Sequence, residues 1–157
     1  MKALVFLLLI SLKSALAQEL PRNLTHPIDY SKLSSAFGVR VHPVTGSKKL
    51  HGGVDFAAPK GTLVRALTSG TVINRSRNPF YGNFVTIHHG DSWATLYAHL
   101  EKTSVEVGEN VLPGEIIGSV GMTGRATAPH LHFELRYDGK VVNPHEYLEF
   151  LFIRAEG

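Results

Sequence analysis

The chain has 157 residues, 16 of them basic and 13 acidic, with nine histidines and no cysteine. The lack of cysteine excludes disulfides, thiol catalysis and any metal site that uses thiolate ligands. The formal charge of +3 includes Lys2 and Lys13, without which 14 basic residues face 13 acidic ones, and no basic stripe indicates a nucleic-acid-binding protein.

The first 17 residues have the pattern of an export signal. Lys2 gives a positive amino-terminal region, residues 3–10 (ALVFLLLI) are apolar, and Ala15-Leu16-Ala17 is a small-x-small cleavage sequence. Polar residues interrupt the apolar run before it reaches the roughly 20 residues that a membrane span needs. We therefore expect residues 1–17 to be removed and the mature chain to have no stable membrane span. An uncleaved amino-terminal anchor is the alternative.

The segments that follow predict a mainly β protein. Residues 18–33 read as an irregular lead-in, with a short turn of helix possible in DYSKLSSAFG. Beyond it, short segments rich in β-branched and aromatic residues are bounded by Gly, Pro, Asn or Asp, and their regular spacing predicts an antiparallel, sandwich-like sheet over residues 34–157. The predicted strands cover residues 62–67, 70–75, 83–89, 92–99, 115–120 and 130–137.

A short helix is predicted near the carboxyl terminus. Asn143 suits the N-cap, Pro144 the first helical position, and Glu146 the reciprocal capping contact. The apolar residues of HEYLEFLFIR would then pack one side of this helix against the sheet.

The segment APHLHFELR, residues 128–136, separates two kinds of side chain if it is a strand. Successive side chains point to opposite faces, so an apolar set opposes a set with two histidines about 6 to 7 Å apart along the strand. That spacing allows one imidazole to hold a metal while the other touches whatever the metal binds. The apolar set is Leu131, Phe133 and Leu135, and the polar set is His130, His132 and Glu134.

A second histidine-containing segment supplies further metal ligands. In HGGVD, His51 and Asp55 are four residues apart, which places them on the same side of an extended segment. The glycines between them allow a close approach of backbone or ligand. With His132 these residues make a possible group of two histidines and one carboxylate, a zinc ligand set that leaves a fourth position for water and is typical of hydrolytic sites.

Two more histidines are available for proton transfer. In the strand 92–99, alternation places Trp93, Thr95, Tyr97 and His99 on one face. His99 and His130 are therefore imidazoles on polar faces that no ligand set requires. A water molecule activated by a metal needs a proton acceptor, and a departing amine needs a donor.

Six motifs in this order carry a resemblance to a known family: FGVRVHPVTG, HGGVDFAAPKGT, YGNFVTIHH, LYAHL, VGENVLPGEIIGSVGMTG and APHLHFELR. Together, over residues 34–148, they resemble the catalytic domain of the lysostaphin-type (LytM-domain) zinc endopeptidases of peptidoglycan. The resemblance implies one zinc ion per domain and hydrolysis of peptide bonds in stem or cross-bridge peptides.

The resemblance also implies a role for individual residues. His51, Asp55 and His132 match the zinc ligands, and His99 and His130 match the two catalytic histidines. In the RVHP stretch, Arg40 and His42 resemble groove residues beside the site, and an ion-pair role is the alternative for Arg40.

Other interpretations predict different behaviour. Degenerate members of this family bind the wall or activate amidases, but all five functional positions are filled here, which favours an active enzyme. The stretch VEVGENVLPGEIIGSVG also resembles hairpins of biotinyl and lipoyl carriers, for which Lys60 would be the attachment residue.

The lysostaphin-type family cuts both glycine bridges and D-alanyl cross-links. We expect the latter, in a periplasmic or cell-wall setting, because a plain signal precedes a domain without a wall-targeting partner.

Overall fold

A computed structural model describes residues 20, 23–29, 32–41 and 46–152. The predicted export signal lies outside these residues. Among the residues within them, no helix is both long and apolar enough to cross a membrane.

Antiparallel strands make up most of the described chain, which confirms the predicted fold class. The strands are β1 (Lys32–Ser35), β2 (Gly38–Val41), β3 (Lys48–His51), β4 (Val54–Ala57), β5 (Leu63–Arg65), β6 (Gly70–Asn78), β7 (Gly82–His88), β8 (Trp93–Thr103), β9 (Asn110–Val111), β10 (Ile116–Val120), β11 (His130–Tyr137) and β12 (Lys140–Val142). A helix, α1 (Pro144–Tyr147), and a 3-10 turn (Glu149–Leu151) follow them.

Ten of these strands form one sheet. Its main order is β1-β4-β11-β8-β7-β6-β9, with β12 beside β11 and β5 joined through β10, which pairs with β8. Strands β2 and β3 form a separate two-stranded hairpin. The order places β11 between β4 and β8, so residues far apart in the chain become neighbours at the centre of the sheet.

The apolar face of β11 anchors the sheet in the core. Leu131, Phe133 and Leu135 are all fully buried, as the alternation predicts, and the Phe133 ring lies 5.4 Å from the ring of Tyr97 on β8. Burial of each such side chain contributes about 1.5–3 kcal/mol. The opposite face of β11 is thereby held in a fixed position.

The amino-terminal part of the described chain is more ordered than the sequence predicts. The helical turn expected in DYSKLSSAFG is wrong for Lys32–Ser35, which forms β1 and pairs with β4. Further upstream, Ile28 bridges Val64 and is 1% exposed, so this segment contributes to the core. Pairing with an available strand edge decides the conformation here, and such tertiary contacts override local propensity.

The carboxyl-terminal helix is confirmed, although it is short. The Asn143 side chain accepts a hydrogen bond from the main-chain N–H of His145, and its amide group donates to Glu146. The helix ends at Tyr147, after which Leu148 and Leu151 are buried in the core.

A bulge in β8 changes the predicted placement of His99. Trp93 and Tyr97 belong to the main core, as strand alternation requires. Leu100 belongs to the same core, although alternation from Tyr97 would place it on the opposite face. His99 has a φ of +61°, and β8 has one residue more than β7 between the pairs Tyr97–Val85 and Leu100–Asn83. The prediction that His99 shares a face with Trp93 and Tyr97 is therefore wrong, because the extra residue turns His99 toward the polar side of the sheet.

Two glycines bring the loops around His99 into contact. Gly82 at the start of β7 and Gly124 in the β10–β11 loop both have positive φ, and a Cβ on Gly124 would collide with the main chain of Gly82. Gly139, in the β11–β12 turn, has nearly the same φ as Gly124 but has no atom within 4 Å of a Cβ position.

The comparison of Gly124 with Gly139 predicts that alanine destabilises the fold more at Gly124. Gly139→Ala adds only backbone strain and should lower the free energy of unfolding by about 1–2 kcal/mol. Gly124→Ala adds steric overlap as well and should lower it by about 3 kcal/mol or more. Urea unfolding of the two variants measures both losses. Equal losses would show that the contact between the loops contributes nothing.

Candidate active site

Three predicted ligand residues converge on one face of β4 and β11. His132 and Asp55 are direct cross-strand partners in these two strands. His51 ends β3 and reaches the same place through Gly52 and Gly53, so it comes from the separate hairpin and not from one extended segment with Asp55. A Cβ on Gly53 would collide with the main-chain oxygen of the neighbouring β11, which explains the glycine at this position.

The donor atoms of these residues form a small triangle. His51 Nε2 lies 3.1 Å from Asp55 Oδ1 and 3.1 Å from His132 Nδ1, and the third side, from His132 Nδ1 to Asp55 Oδ1, is 2.8 Å. Ligands about 2.0–2.2 Å from a tetrahedral zinc ion are separated by about 3.3–3.6 Å, slightly more than the distances in this triangle. The donor set fits such an ion after a small outward movement of the side chains, and the His-Asp-His group indicates a metal site.

Hydrogen bonds fix which nitrogen of each histidine faces this triangle. His51 donates from Nδ1 to the carbonyl oxygen of Ala36 at 2.8 Å, and His132 donates from Nε2 to Glu134 Oε1 at 3.0 Å. The other nitrogen of each imidazole, His51 Nε2 or His132 Nδ1, therefore faces the triangle, where it can donate a lone pair to a metal once it carries no proton.

Glu134 connects this site to a buried polar network. Its carboxylate is 2% exposed and accepts hydrogen bonds from the Tyr81 hydroxyl at 2.6 Å and from Arg136 Nε and Nη2 at 2.8 and 2.6 Å. Burial raises the pKa of Glu134, but the hydrogen bonds from His132, Tyr81 and Arg136 lower it overall, so the carboxylate stays charged. Burial and the bond to Glu134 raise the pKa of Tyr81 to about 12, so its hydroxyl keeps the proton that it donates.

The electrostatics of the triangle favour a positive charge. Burial raises the pKa of Asp55, but hydrogen bonds from His132 and His51 bring it well below its usual range. Burial lowers the pKa of His132, but its bonds to Asp55 and Glu134 raise it to about 8. Because these contacts favour a protonated His132, a metal cation that binds in the triangle must displace that proton.

His99 and His130 lie beside the triangle, and one nitrogen of each ring is bound to the main chain. Their ring centroids are 4.6 Å apart, and His130 Nε2 is 3.8 Å from Asp55 Oδ1. Each donates from Nδ1 at 2.8 Å to a main-chain oxygen, that of Thr123 for His99 and that of Ala128 for His130. Nε2 is therefore the atom at which either ring, when it is neutral, can accept a proton.

Burial keeps His99 neutral. The residue is 6% exposed, and burial lowers the pKa of its imidazole to about 4 although the Thr123 carbonyl opposes the shift. Its main-chain N–H donates to the carbonyl of Tyr81 at 2.8 Å, and the Thr123 hydroxyl accepts from the N–H of Asn83 at 3.0 Å. The left-handed backbone at His99 is thus held by contacts on several sides.

The predicted site residues that the structure describes all lie together. His51, Asp55, His99, His130 and His132 form one cluster, and Arg40 Nη2 is 3.8 Å from Asp55 Oδ2. His42 lies outside the residues that the structure describes.

Several residues at the site were not predicted from the sequence. Glu134 shares the polar face of β11 with both histidines, and that alternation is a signal that could have indicated it. The same alternation also indicates Arg136, two residues further along β11. Tyr81 and Thr123 come from loops, where no local pattern indicates them.

Residues 49–144, which include the triangle and both flanking histidines, match the family model of Peptidase family M23. The chain belongs to Peptidase family M23. This M23 chain is 50% identical over 118 residues to the DD-carboxypeptidase/endopeptidase Mpg of Neisseria meningitidis, an alignment that covers 75% of the chain and 27% of that protein. The chain therefore spans about a quarter of the length of this curated relative.

Solved structures of similar peptidases share its fold. A zinc-containing peptidase from Vibrio cholerae superposes with a TM-score of 0.75 at 39% identity, covering 78% of this chain and 39% of that one. The catalytic domain of lysostaphin from Staphylococcus simulans superposes with a TM-score of 0.68 at 33% identity, covering 76% of this chain and 92% of that one. The resemblance to lysostaphin-type domains is thereby confirmed.

The contact between His132 and Glu134 predicts how loss of the Glu134 charge affects zinc binding. Glu134→Gln keeps the shape of the side chain but weakens the bond that orients His132, and should raise the Kd for zinc about tenfold or more. Competition with a chelator of known affinity measures this Kd. Glu106→Gln, which removes an exposed partner of Arg75, is the matched control and should leave it unchanged. An unchanged Kd in Glu134→Gln would contradict the orienting role.

Proposed function

We propose that this chain is a zinc-dependent endopeptidase that hydrolyses peptide bonds in peptidoglycan. The observation that carries the proposal is the triangle of metal-ligand atoms with two acceptor imidazoles directly beside it. The named activities of the M23 relatives support the same reaction, although the chain spans only part of their length.

His51 Nε2, Asp55 Oδ1 and His132 Nδ1 are the proposed ligands of one zinc ion per domain. The nitrogen and oxygen donor set supports zinc, and so does the similarity to a zinc-containing peptidase. When bound at such a site, zinc polarises a carbonyl and lowers the pKa of water from 15.7 to about 7. Three protein ligands leave a position for water or substrate, as in hydrolytic sites.

His99 and His130 are the proposed catalytic residues. We call the space bordered by the metal-ligand triangle and these two imidazoles the cleft. With Nδ1 occupied by a main-chain oxygen, Nε2 is the atom of each ring that can accept a proton from water there. The same atom, once protonated, can stabilise a developing oxyanion or donate to the departing amine. Because burial keeps His99 neutral at physiological pH, its ring is ready to accept.

The proposed bond lies between two D-amino acid residues, at a D-alanyl cross-link or at a D-alanyl chain end. The relatives named as DD-carboxypeptidase/endopeptidase and DD-endopeptidase support this choice. Such a substrate lies outside the cytoplasm, in agreement with the proposed division into an export signal at residues 1–17, a lead-in at 18–33 and a peptidase domain at 34–157.

Two substitutions separate metal binding from proton transfer. His132→Ala removes a proposed ligand and should lose both zinc and activity. His99→Ala should keep nearly one zinc per chain but lose turnover by about 100-fold or more, because only the proton acceptor is removed. Zinc content by mass spectrometry and release of new amine ends from purified sacculi measure the two effects. His88→Ala, at an exposed position of β7, is the control and should change neither.

The wild-type chain should also stop releasing amine ends when a chelator is added. Full turnover in His99→Ala would contradict the catalytic assignment. A zinc-loaded wild-type chain that releases no amine ends would instead favour a non-catalytic module that binds the wall or activates an amidase.

A further inference from the structure

We propose that Arg40 binds the free carboxylate on the leaving-amine side of the substrate, so that this cleft selects DD bonds by their negative charge. This inference rests on the proposed function and deepens it, since it names the group of the substrate that the cleft recognises.

Arg40 lies on the side of Asp55 opposite to the metal-ligand triangle. Asp55 Oδ1 faces both histidines, whereas Oδ2 is the atom that lies 3.8 Å from Arg40 Nη2. The guanidinium is therefore one carboxylate group away from the triangle. Its side chain is 49% exposed, so a ligand in the cleft can reach it.

The contacts of Arg40 with described residues leave most of its hydrogen-bonding capacity unused. A guanidinium has five N–H donors in a planar fork that matches a carboxylate. With described residues, Arg40 makes one hydrogen bond, at 3.4 Å to the carbonyl of Ala36, and its separation from Asp55 is too long for a second. This geometry suits a bidentate contact with a further anion.

A purely structural role explains Arg40 less well. At half-exposed positions an ion pair of this length contributes about 0–1 kcal/mol. The side chains within hydrogen-bond distance of the Asp55 carboxylate are His132 and His51, whereas Arg40 is beyond that distance. Asp55 is therefore held in place without Arg40.

The residue opposite Arg40 on the hairpin is also positive. Arg40 on β2 and Lys49 on β3 are direct cross-strand partners and share one face of the hairpin. Like charges in this position destabilise a strand pair, and an anion between them would offset the repulsion. Lys49 Nζ also lies 5.8 Å from the centre of the exposed Phe80 ring.

The chemistry of a DD bond provides such an anion. At a D-alanyl chain end, the carbon attached to the leaving nitrogen also bears the terminal carboxylate. The same holds at a cross-link made through the D-centre of a diamino diacid. By standard bond lengths the carboxylate oxygens are then about 3 to 4 Å from the leaving nitrogen. An internal bond in a glycine bridge has a neutral amide in this position and gives Arg40 nothing to pair with.

A pair of peptides tests the inference without turnover. One is a stem peptide that ends in D-Ala-D-Ala with a free carboxylate, and the other is its carboxyl-terminal amide. Calorimetry measures their Kd values for zinc-loaded His99→Ala, in which cleavage is slow. The acid should bind about 10-fold or more tightly than the amide, the range of a charge-assisted hydrogen bond. In the double variant His99→Ala/Arg40→Gln, the ratio of the two Kd values should be about 1.

Two further variants separate charge from geometry. Arg40→Lys keeps the charge but loses the fork, and should retain only part of the preference. Lys48→Gln removes a positive charge from an exposed position of the same hairpin, and should retain all of it. Zinc content should stay near one per chain in every variant.

Three results would overturn the inference: equal binding of acid and amide before Arg40 is changed, an acid preference that survives Arg40→Gln, or a loss of zinc in Arg40→Gln. If the wild-type chain cleaved neither peptide nor sacculi but the Arg40-dependent acid preference were observed, the proposed function would fail and the carboxylate site would stand.

Discussion

The pairing of Asp55 with His132 across β4 and β11 is the contact on which the site depends. Direct partners in antiparallel strands have Cβ atoms about 4.5–5.5 Å apart, so the sheet itself sets the spacing of two metal-ligand atoms. Because β11 lies between β4 and β8, its register also brings His130 beside His99. His51 then joins from the β2–β3 hairpin and completes the triangle.

The face of β11 that carries His130 and His132 is held in place by the apolar core on one side and by a buried polar network on the other. The fully buried Leu131, Phe133 and Leu135 hold β11 in place from behind. On the cleft side, Glu134 accepts hydrogen bonds from His132, Tyr81 and Arg136, so its buried charge is fully paired. A buried carboxylate without such partners would destabilise the fold by several kcal/mol. The same bonds fix the histidine tautomer, so stability and preorganisation come from one set of contacts.

Much of the site could be predicted from the sequence because it follows strand alternation. The two faces of APHLHFELR are as the period of two requires, and the ligand set was recognisable from His51, Asp55 and His132. His99 shows where that rule stops, since one extra residue in β8 and a positive φ reverse the expected face. The partners of His99, Tyr81 and Thr123, come from loops that meet only in the folded chain. Strand β1 depends likewise on an edge that β4 provides.

The central claim is that three atoms, His51 Nε2, Asp55 Oδ1 and His132 Nδ1, hold one zinc ion while His99 and His130 remain unbound to it. Anomalous X-ray scattering at the zinc absorption edge, from crystals of the zinc-loaded protein, tests this claim most directly. It should give a single strong peak about 2.0–2.2 Å from each of the three atoms. A peak with His99 or His130 as a ligand, or no peak at this triangle, would contradict it.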